Sequence, residues 1–259
     1  MALRWSELAQ PTDQPPWASL PPQTVVYAIG DIHGRCDLLA ELHEGIAADL
    51  VRRGARRRVL VYLGDYVSRG IDSRRVVDLV RQGVPDCGDK ITLRGNHEEL
   101  MLRYLAGNFE AGRFWFDYDG VDVLENYGVP VANRQARDDR SLESLRLAFA
   151  AALPAEHLAF FRSLTVHHDE GGYRFVHAGV RPGVALARQS GHDQVWIRRP
   201  FLDSELDHGA VVVHGHSIVA APEVRHNRIA IDTGAYRSGV LSCLVLSGEE
   251  RLLLQTTAA

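Results

Sequence analysis

The stretch VLVYLGDYVSRG (59–70) joins five apolar residues to a polar loop that opens and closes on glycine. The run 59–63 has the length and the β-branched and aromatic content of a strand, with no alternation of polar residues. A strand of that kind is buried on both faces. Asp65 and Arg69 stand four residues apart in the loop behind it, with Ser68 between them.

The same layout recurs along the chain. TVVYAI (24–29) runs into GDIHG, ITL (91–93) leads through Arg94 into GNHE, and YRFV (173–176) ends in HAG. AVVV (210–213) ends in HGHS, and IAI (229–231) ends in DTG. Each run reads as a buried strand closed by a glycine-containing loop. Helical spacing fills the gaps. Asp37 is placed to cap a helix to about Arg53, with Gly54 as its stop. Asp72 is placed to cap one through Arg81, and Glu98 to Ala106 reads as a third. Strand and helix in alternation indicate an α/β fold. Residues 99–170 break the rhythm with helical stretches, including 141–152 behind Ser141 and 155–164 after Pro154. That segment reads as a helical cap insertion beside the strand ends, where substrate selection is expected.

Ligands of open α/β sheets bind beyond the carboxyl ends of strands. Those ends carry Asp31, His33, Asp65, Asn96, His97, His177, His214, His216 and Asp232. Oxygen and imidazole donors without cysteine suit manganese, iron or zinc better than copper(I) or an iron–sulfur cluster. His214 and His216 share parity on a strand, so spacing alone does not choose between them. A GD pair or a buried histidine is weak evidence singly; the ordered set is not.

That order resembles the phosphoprotein phosphatases, a family of binuclear metallophosphoesterases, and most of all their compact bacterial serine/threonine members. VWIRRPF (195–201) and NRIAIDTGA (227–235) resemble the same group. The resemblance implies a four-layer αββα metallophosphoesterase sandwich with a helical cap. It implies two divalent metal ions, manganese first and iron or zinc as alternatives. Asp31, His33 and Asp65 would hold one ion, and Asp65, Asn96, His177 and His216 the other. His97 would protonate the leaving oxygen, and Arg69 and Arg198 would grip the phosphate. His214 would then pack behind the ligands. Many members carry an acid where this chain has Ser68, and that acid orients and charges the proton-donating histidine. A serine can orient His97 without stabilising its charge.

Hydrolysis of phosphoserine and phosphothreonine in proteins is therefore the expected activity, with a phosphorylated protein or peptide as partner. Symmetrical diadenosine tetraphosphate hydrolases resemble the same family and lack that acid, so dinucleoside polyphosphates are the alternative substrate. A non-catalytic phosphoprotein-binding module is a third reading, disfavoured by the intact ligand set.

Composition sets the outer bounds. The 259 residues are 46% hydrophobic and carry a net charge of −4, with a pI near 6.3. That balance argues against a nucleic-acid binder. No run reaches the length of a membrane span. Three scattered cysteines form neither a disulfide framework nor a zinc pair, which fits a cytoplasmic protein. Five of the eleven prolines fall within residues 1–23. That segment reads as an extended arm with no core of its own, pinned by Trp5 and Trp17, ahead of a single domain over 24–259. FWFDYDG (114–120) suits either the cap's substrate face or core packing. Oligomeric state is not legible.

Overall fold

The structure is a computed structural model, and it describes residues 3–8, 18–135 and 137–257. In chain order the elements are β1 (Leu3–Glu7), β2 (Thr24–Ile29), α1 (Cys36–Arg53), β3 (Arg57–Tyr62), α2 (Ser73–Gln82), β4 (Asp89–Thr92) and α3 (Asn96–Leu105). The cap follows with α4 (Phe109–Asp117), α5 (Gly120–Asn126), α6 (Asp139–Ala152) and α7 (Ala155–Ser163). Then come β5 (His167–Glu170), β6 (Tyr173–Val176), α8 (Gly191–Trp196), α9 (Arg199–Leu202), β7 (Val211–His214), β8 (Glu223–Val224) and β9 (Arg228–Ala230). The chain ends on α10 (Ala235–Ser238), β10 (Ser242–Ser247) and β11 (Glu250–Thr256).

Two mixed sheets result, ordered β1-β11-β10-β2-β3-β4 and β5-β6-β7-β9-β8. Their apolar strands lack a polar face because both faces are buried. On β2, Val25, Tyr27 and Ile29 pack outward against α1, while Val26 and Ala28 point into the seam between the sheets. On β3, Leu60 and Tyr62 face outward and Val59 and Val61 inward. From the second sheet Phe175, Val213 and Ile229 complete the seam, while Val176 and Val212 face Ile197 and Phe201 on the far side. Helix, sheet, sheet and helix thus stack in four layers, the sandwich read from the motifs.

β2, β3 and β4 run parallel, as do β6, β7 and β9. Every motif loop follows the carboxyl end of one of these six strands, and the loops meet along one edge of the sandwich.

Three local expectations change. Residues 3–7 are not a coreless arm: they form β1, antiparallel to β11. Ala18 and Leu20 are buried in the seam, and Ala18 O accepts from both Tyr173 Oη and Arg251 Nη2. Trp5 is more than one third exposed, and Trp17 lies outside the described residues. Asp37 is not a cap; it sits in the first turn of α1, paired with Arg35, and Gly54 closes the helix at positive φ. The cap of α6 is Asp138, whose carboxylate accepts from Ser141 N. Asp72 does cap α2, accepting from Arg75 N. Among the described residues no helix is long and apolar enough to cross a membrane.

Candidate metal centre and catalytic pocket

The centre is built around Asp65. Its backbone lies at φ 49°, and His33, Ser68, Arg69 and His216 also take positive φ. Each such non-glycine residue costs about 1–3 kcal/mol, and strain of this kind collects at functional sites. Glu98 helps hold it. Its buried carboxylate accepts from Asp65 N at 2.9 Å, Tyr66 N at 2.8 Å, Val67 N at 3.2 Å and Gly95 N at 3.0 Å. The sequence reading gave Glu98 no role beyond starting a helix. Its place in GNHE was the available signal.

Asp65 Oδ1 accepts from His97 N at 3.1 Å. Oδ2 faces two imidazoles, 3.4 Å from His33 Nε2 and 3.5 Å from His177 Nε2. A backbone carbonyl only accepts, so Nδ1 of His33 donates to Val67 O and Nδ1 of His177 donates to Leu63 O, both at 2.9 Å. These bonds fix the tautomer and leave each Nε2 with a lone pair. Burial lowers His33 to about 3 and His177 to about 4, so both rings are neutral near pH 7. Asn96 turns Oδ1 toward His177 Nε2 at 3.0 Å. Acceptor atoms of Asp65, His33, His177 and Asn96 therefore converge with no N–H between them, the donor set of a cation site. Asp31 Oδ1 and His216 Nε2 are likewise buried without a hydrogen-bond partner.

Two close clusters stand out among the described residues, His33 with Asp65 and His97, and Asp65 with His177 and His216. Asp65 belongs to both. Asp31 belongs to neither. Its Oδ1 lies 4.0 Å from His177 Nδ1, and its Oδ2 accepts from His216 N at 3.0 Å. The structure places His216 rather than His214 beside Asp65; His214 packs its ring edge-on to Phe201 and donates Nδ1–H to Gly215 O. Asp232 is buried as well, and its charge, after burial itself, raises the Asp31 carboxyl.

Arg69 and Arg198 line the same cavity, of about 520 Å³, with His97 and Asn96. Arg69 donates to the His33 Nε2 lone pair at 3.3 Å and lies 4.8 Å from the centroid of the Tyr236 ring. Phe114, Tyr118 and Trp196 complete the wall. The 114–120 stretch thus serves both uses, because Phe114 on α4 and Tyr118 just past its end are exposed while Trp115 and Phe116 lie in the core.

Ser68 departs from expectation. Its Oγ accepts from Trp115 Nε1 at 3.3 Å, in the cap, and its N–H donates to Ser73 Oγ at 3.0 Å. It makes no hydrogen bond to His97, whose Nδ1 is buried with no partner. Burial holds His97 well below its ordinary value. Cys36 is no activated thiol, since burial raises it.

Gly95 makes the centre sensitive to one methyl group. A Cβ there would lie 2.1 Å from Asp65 Oδ1 and 2.3 Å from Asp65 N. Gly95→Ala is expected to cut activity about 100-fold, the effect of a roughly 1 Å misplacement. A variant with wild-type kcat would show that Asp65 can shift freely.

Chelation should reveal the buried charges. Burial raises Asp31 and Asp232, raises Asp65 to about 7 and raises Glu98 to about 8. The folded chain then holds more protons on these acids than the unfolded chain between about pH 4 and 8, so stability falls as pH rises. The lowered histidines act oppositely, but only up to about pH 6.5, where unfolded histidine loses its proton. In EDTA the unfolding midpoint should therefore drop between about pH 6.5 and 8, and excess manganese should remove the drop. A midpoint in EDTA that rises over that range would contradict the charge assignment.

Known proteins resemble this chain along most of its length. The bis(5'-nucleosyl)-tetraphosphatase PrpE [asymmetrical] of Bacillus mycoides is 26% identical over 238 residues, covering 83% of this chain and 88% of its own. The symmetrical bis(5'-nucleosyl)-tetraphosphatase of Methylococcus capsulatus is 29% identical over 167 residues, covering 63% of this chain and 47% of its own. Among solved structures, the cold-active protein-tyrosine phosphatase of a psychrophilic Shewanella superposes with a TM-score of 0.56 at 16% identity, over 95% of this chain and 86% of its own. The match to the calcineurin-like phosphoesterase profile runs from residue 24 to 236, through every loop that feeds the centre, and the chain belongs to that family.

Proposed function

We propose that this phosphoesterase cleaves phosphate bonds whose leaving group departs with little proton donation, with dinucleoside polyphosphates as the preferred substrates. The observation that carries this is His97 Nδ1, buried with no partner, while the Ser68 hydroxyl is turned to Trp115. No carboxylate accepts a hydrogen bond from His97 Nδ1. A serine or threonine alkoxide needs its proton in the transition state, whereas a nucleotide phosphate leaves as a stable anion. The aromatic wall of Phe114, Tyr118 and Trp196 suits a planar base by stacking. The curated relatives named for dinucleotide hydrolysis support the same choice.

His33, Asp65, His177, His216, Asn96 and Asp31 would hold divalent metal, manganese first with iron or zinc as alternatives, given nitrogen and oxygen donors alone. Metal bound there supplies positive charge for the phosphate and the acidity that readies a water for in-line attack. Everything else falls to the chain. Asp65 keeps Oδ1 on His97 N–H and offers Oδ2 to both sides. Arg69, released once the His33 lone pair is taken up, grips phosphate oxygens with Arg198. His97 faces the leaving oxygen across the cavity.

The test is one manganese-loaded assay on diadenosine tetraphosphate and on a phosphothreonine peptide, with Asp65→Asn as blank. Faster cleavage of the dinucleotide is expected. Faster dephosphorylation of the peptide would restore the serine/threonine phosphatase reading, which rests on VWIRRPF, whose Trp196 and Arg198 line the cavity. Ser68→Asp should restore an acid near His97 and raise turnover of the peptide about 10-fold, with little change on the dinucleotide. Equal gains on both would mean that Ser68 does not limit proton donation.

A further inference from the structure

Away from the metal centre, α3, α6 and α7 enclose a second cavity of about 350 Å³. Its wall is aliphatic: Leu102, Leu105, Leu153 and Leu158, with Ala106 and Ala150 at the rim. Its polar side chains are two arginines, Arg94 and Arg162, and no acid lines it. Arg94 Nη2 donates to Leu164 O at 3.2 Å, but its Nε is buried with no acceptor. Neither arginine has a carboxylate partner among the described residues. Other partly buried arginines are served in two ways: Arg53 and Arg35 pair with Asp49 and Asp37, while Arg228 and Arg251 end on neutral oxygens. Two guanidiniums without a carboxylate, beside an aliphatic wall that no acid interrupts, suit an anion with an apolar tail.

We propose that this cavity binds a small amphipathic anion, its oxyanion head on Arg94 and Arg162 and its aliphatic tail against the four leucines. The planar guanidinium fork suits a carboxylate, and the apolar wall gains by covering its surface. The volume lies at the small end of the range for small-molecule sites. No residue lines both this cavity and the one at the metal centre, so the two can fill independently.

Octanoate is the probe, measured by calorimetry and thermal unfolding on the manganese-loaded protein. One molecule should bind per chain and raise the unfolding midpoint, in Arg69→Gln as in the parent. Octanol and octylammonium should bind at least about 10-fold more weakly, because they lack the charge that Arg94 needs. Arg94→Gln should cost a similar factor. Ala150→Trp, which fills the rim without touching the arginines, should abolish binding, and it serves where Arg94→Gln does not fold. Loss of octanoate binding in Arg69→Gln would place octanoate at the metal centre and overturn the proposal. So would equal binding of octanol, or unchanged binding in Ala150→Trp.

Discussion

Asp65→Asn should lower kcat/KM at least about 1000-fold, roughly 4 kcal/mol of transition-state stabilisation, with the fold intact. The substitution keeps size and shape. An amide oxygen at Oδ1 can still accept from His97 N–H, so the turn into α3 survives. The second position then carries an NH₂ group where Oδ2 faced His33 Nε2 at 3.4 Å and His177 Nε2 at 3.5 Å. Two lone pairs that shared an anion now face a donor. The donor can satisfy one ring at a time, and it removes the only side chain common to both close clusters. Metal content should therefore fall together with activity, while the far-ultraviolet circular dichroism stays that of the parent. Dialysed protein, assayed for bound manganese and for initial rate, reads both quantities. A variant that keeps full metal and near-parental turnover would defeat the shared-ligand arrangement, and with it the roles assigned to His33 and His177.

The sequence made the strands and the ends of the strands legible for one physical reason. A strand buried on both faces has no polar alternation to confuse it with a helix of the surface, and β2, β3, β6 and β7 are all of this kind. The C-terminal hairpin was not legible in the same way. ERLLLQT has its apolar residues clustered at the centre and no chemistry at its end, and β1 owes its strand to pairing with it. Helix positions came out well, but the capping residues did not where two acceptors or none were at hand. Asp138 stands three residues before Ser141 and caps the helix by accepting from Ser141 N, which places Ser141 inside the first turn.

At the site, which residues gather was legible, and how they contact one another was not. Glycine loops behind parallel strands bring six ligand candidates to one edge whatever the side chains do. The direction of each side chain depends on packing partners far away in the chain. Ser68 sits three residues from Asp65, yet its hydroxyl is taken by Trp115 in the cap, 47 residues on. FWFDYDG reads as one aromatic block until the turn of α4 divides it into wall and core. Glu98 stands in GNHE, which marks it, but not the four backbone donors that aim at it, because those come from two separate loops.

His97→Gln should then split substrates by leaving group. The ring is buried, its Nδ1 meets no partner, and burial first, then the neighbouring His33 and Arg69, disfavours its charged form. In its small charged fraction the ring can hand a proton to a leaving oxygen that needs it and return to neutral, and glutamine removes that route. For a phosphothreonine peptide the loss should reach about 100- to 1000-fold, within the usual contribution of general acid catalysis. For diadenosine tetraphosphate it should stay below about 10-fold, since the departing nucleotide phosphate holds its own charge. Glutamine preserves a polar side chain of similar reach and leaves the backbone N–H of residue 97 on Asp65 Oδ1, so metal content serves as the control. The informative quantity is the ratio of the two losses rather than either alone. A ratio near one, with metal retained, would mean that His97 acts on the phosphate or its ligands instead of the leaving group. The choice of dinucleotide over phosphoprotein would then lose its physical basis, because Ser68 and the unpartnered His97 would no longer bear on which bond breaks.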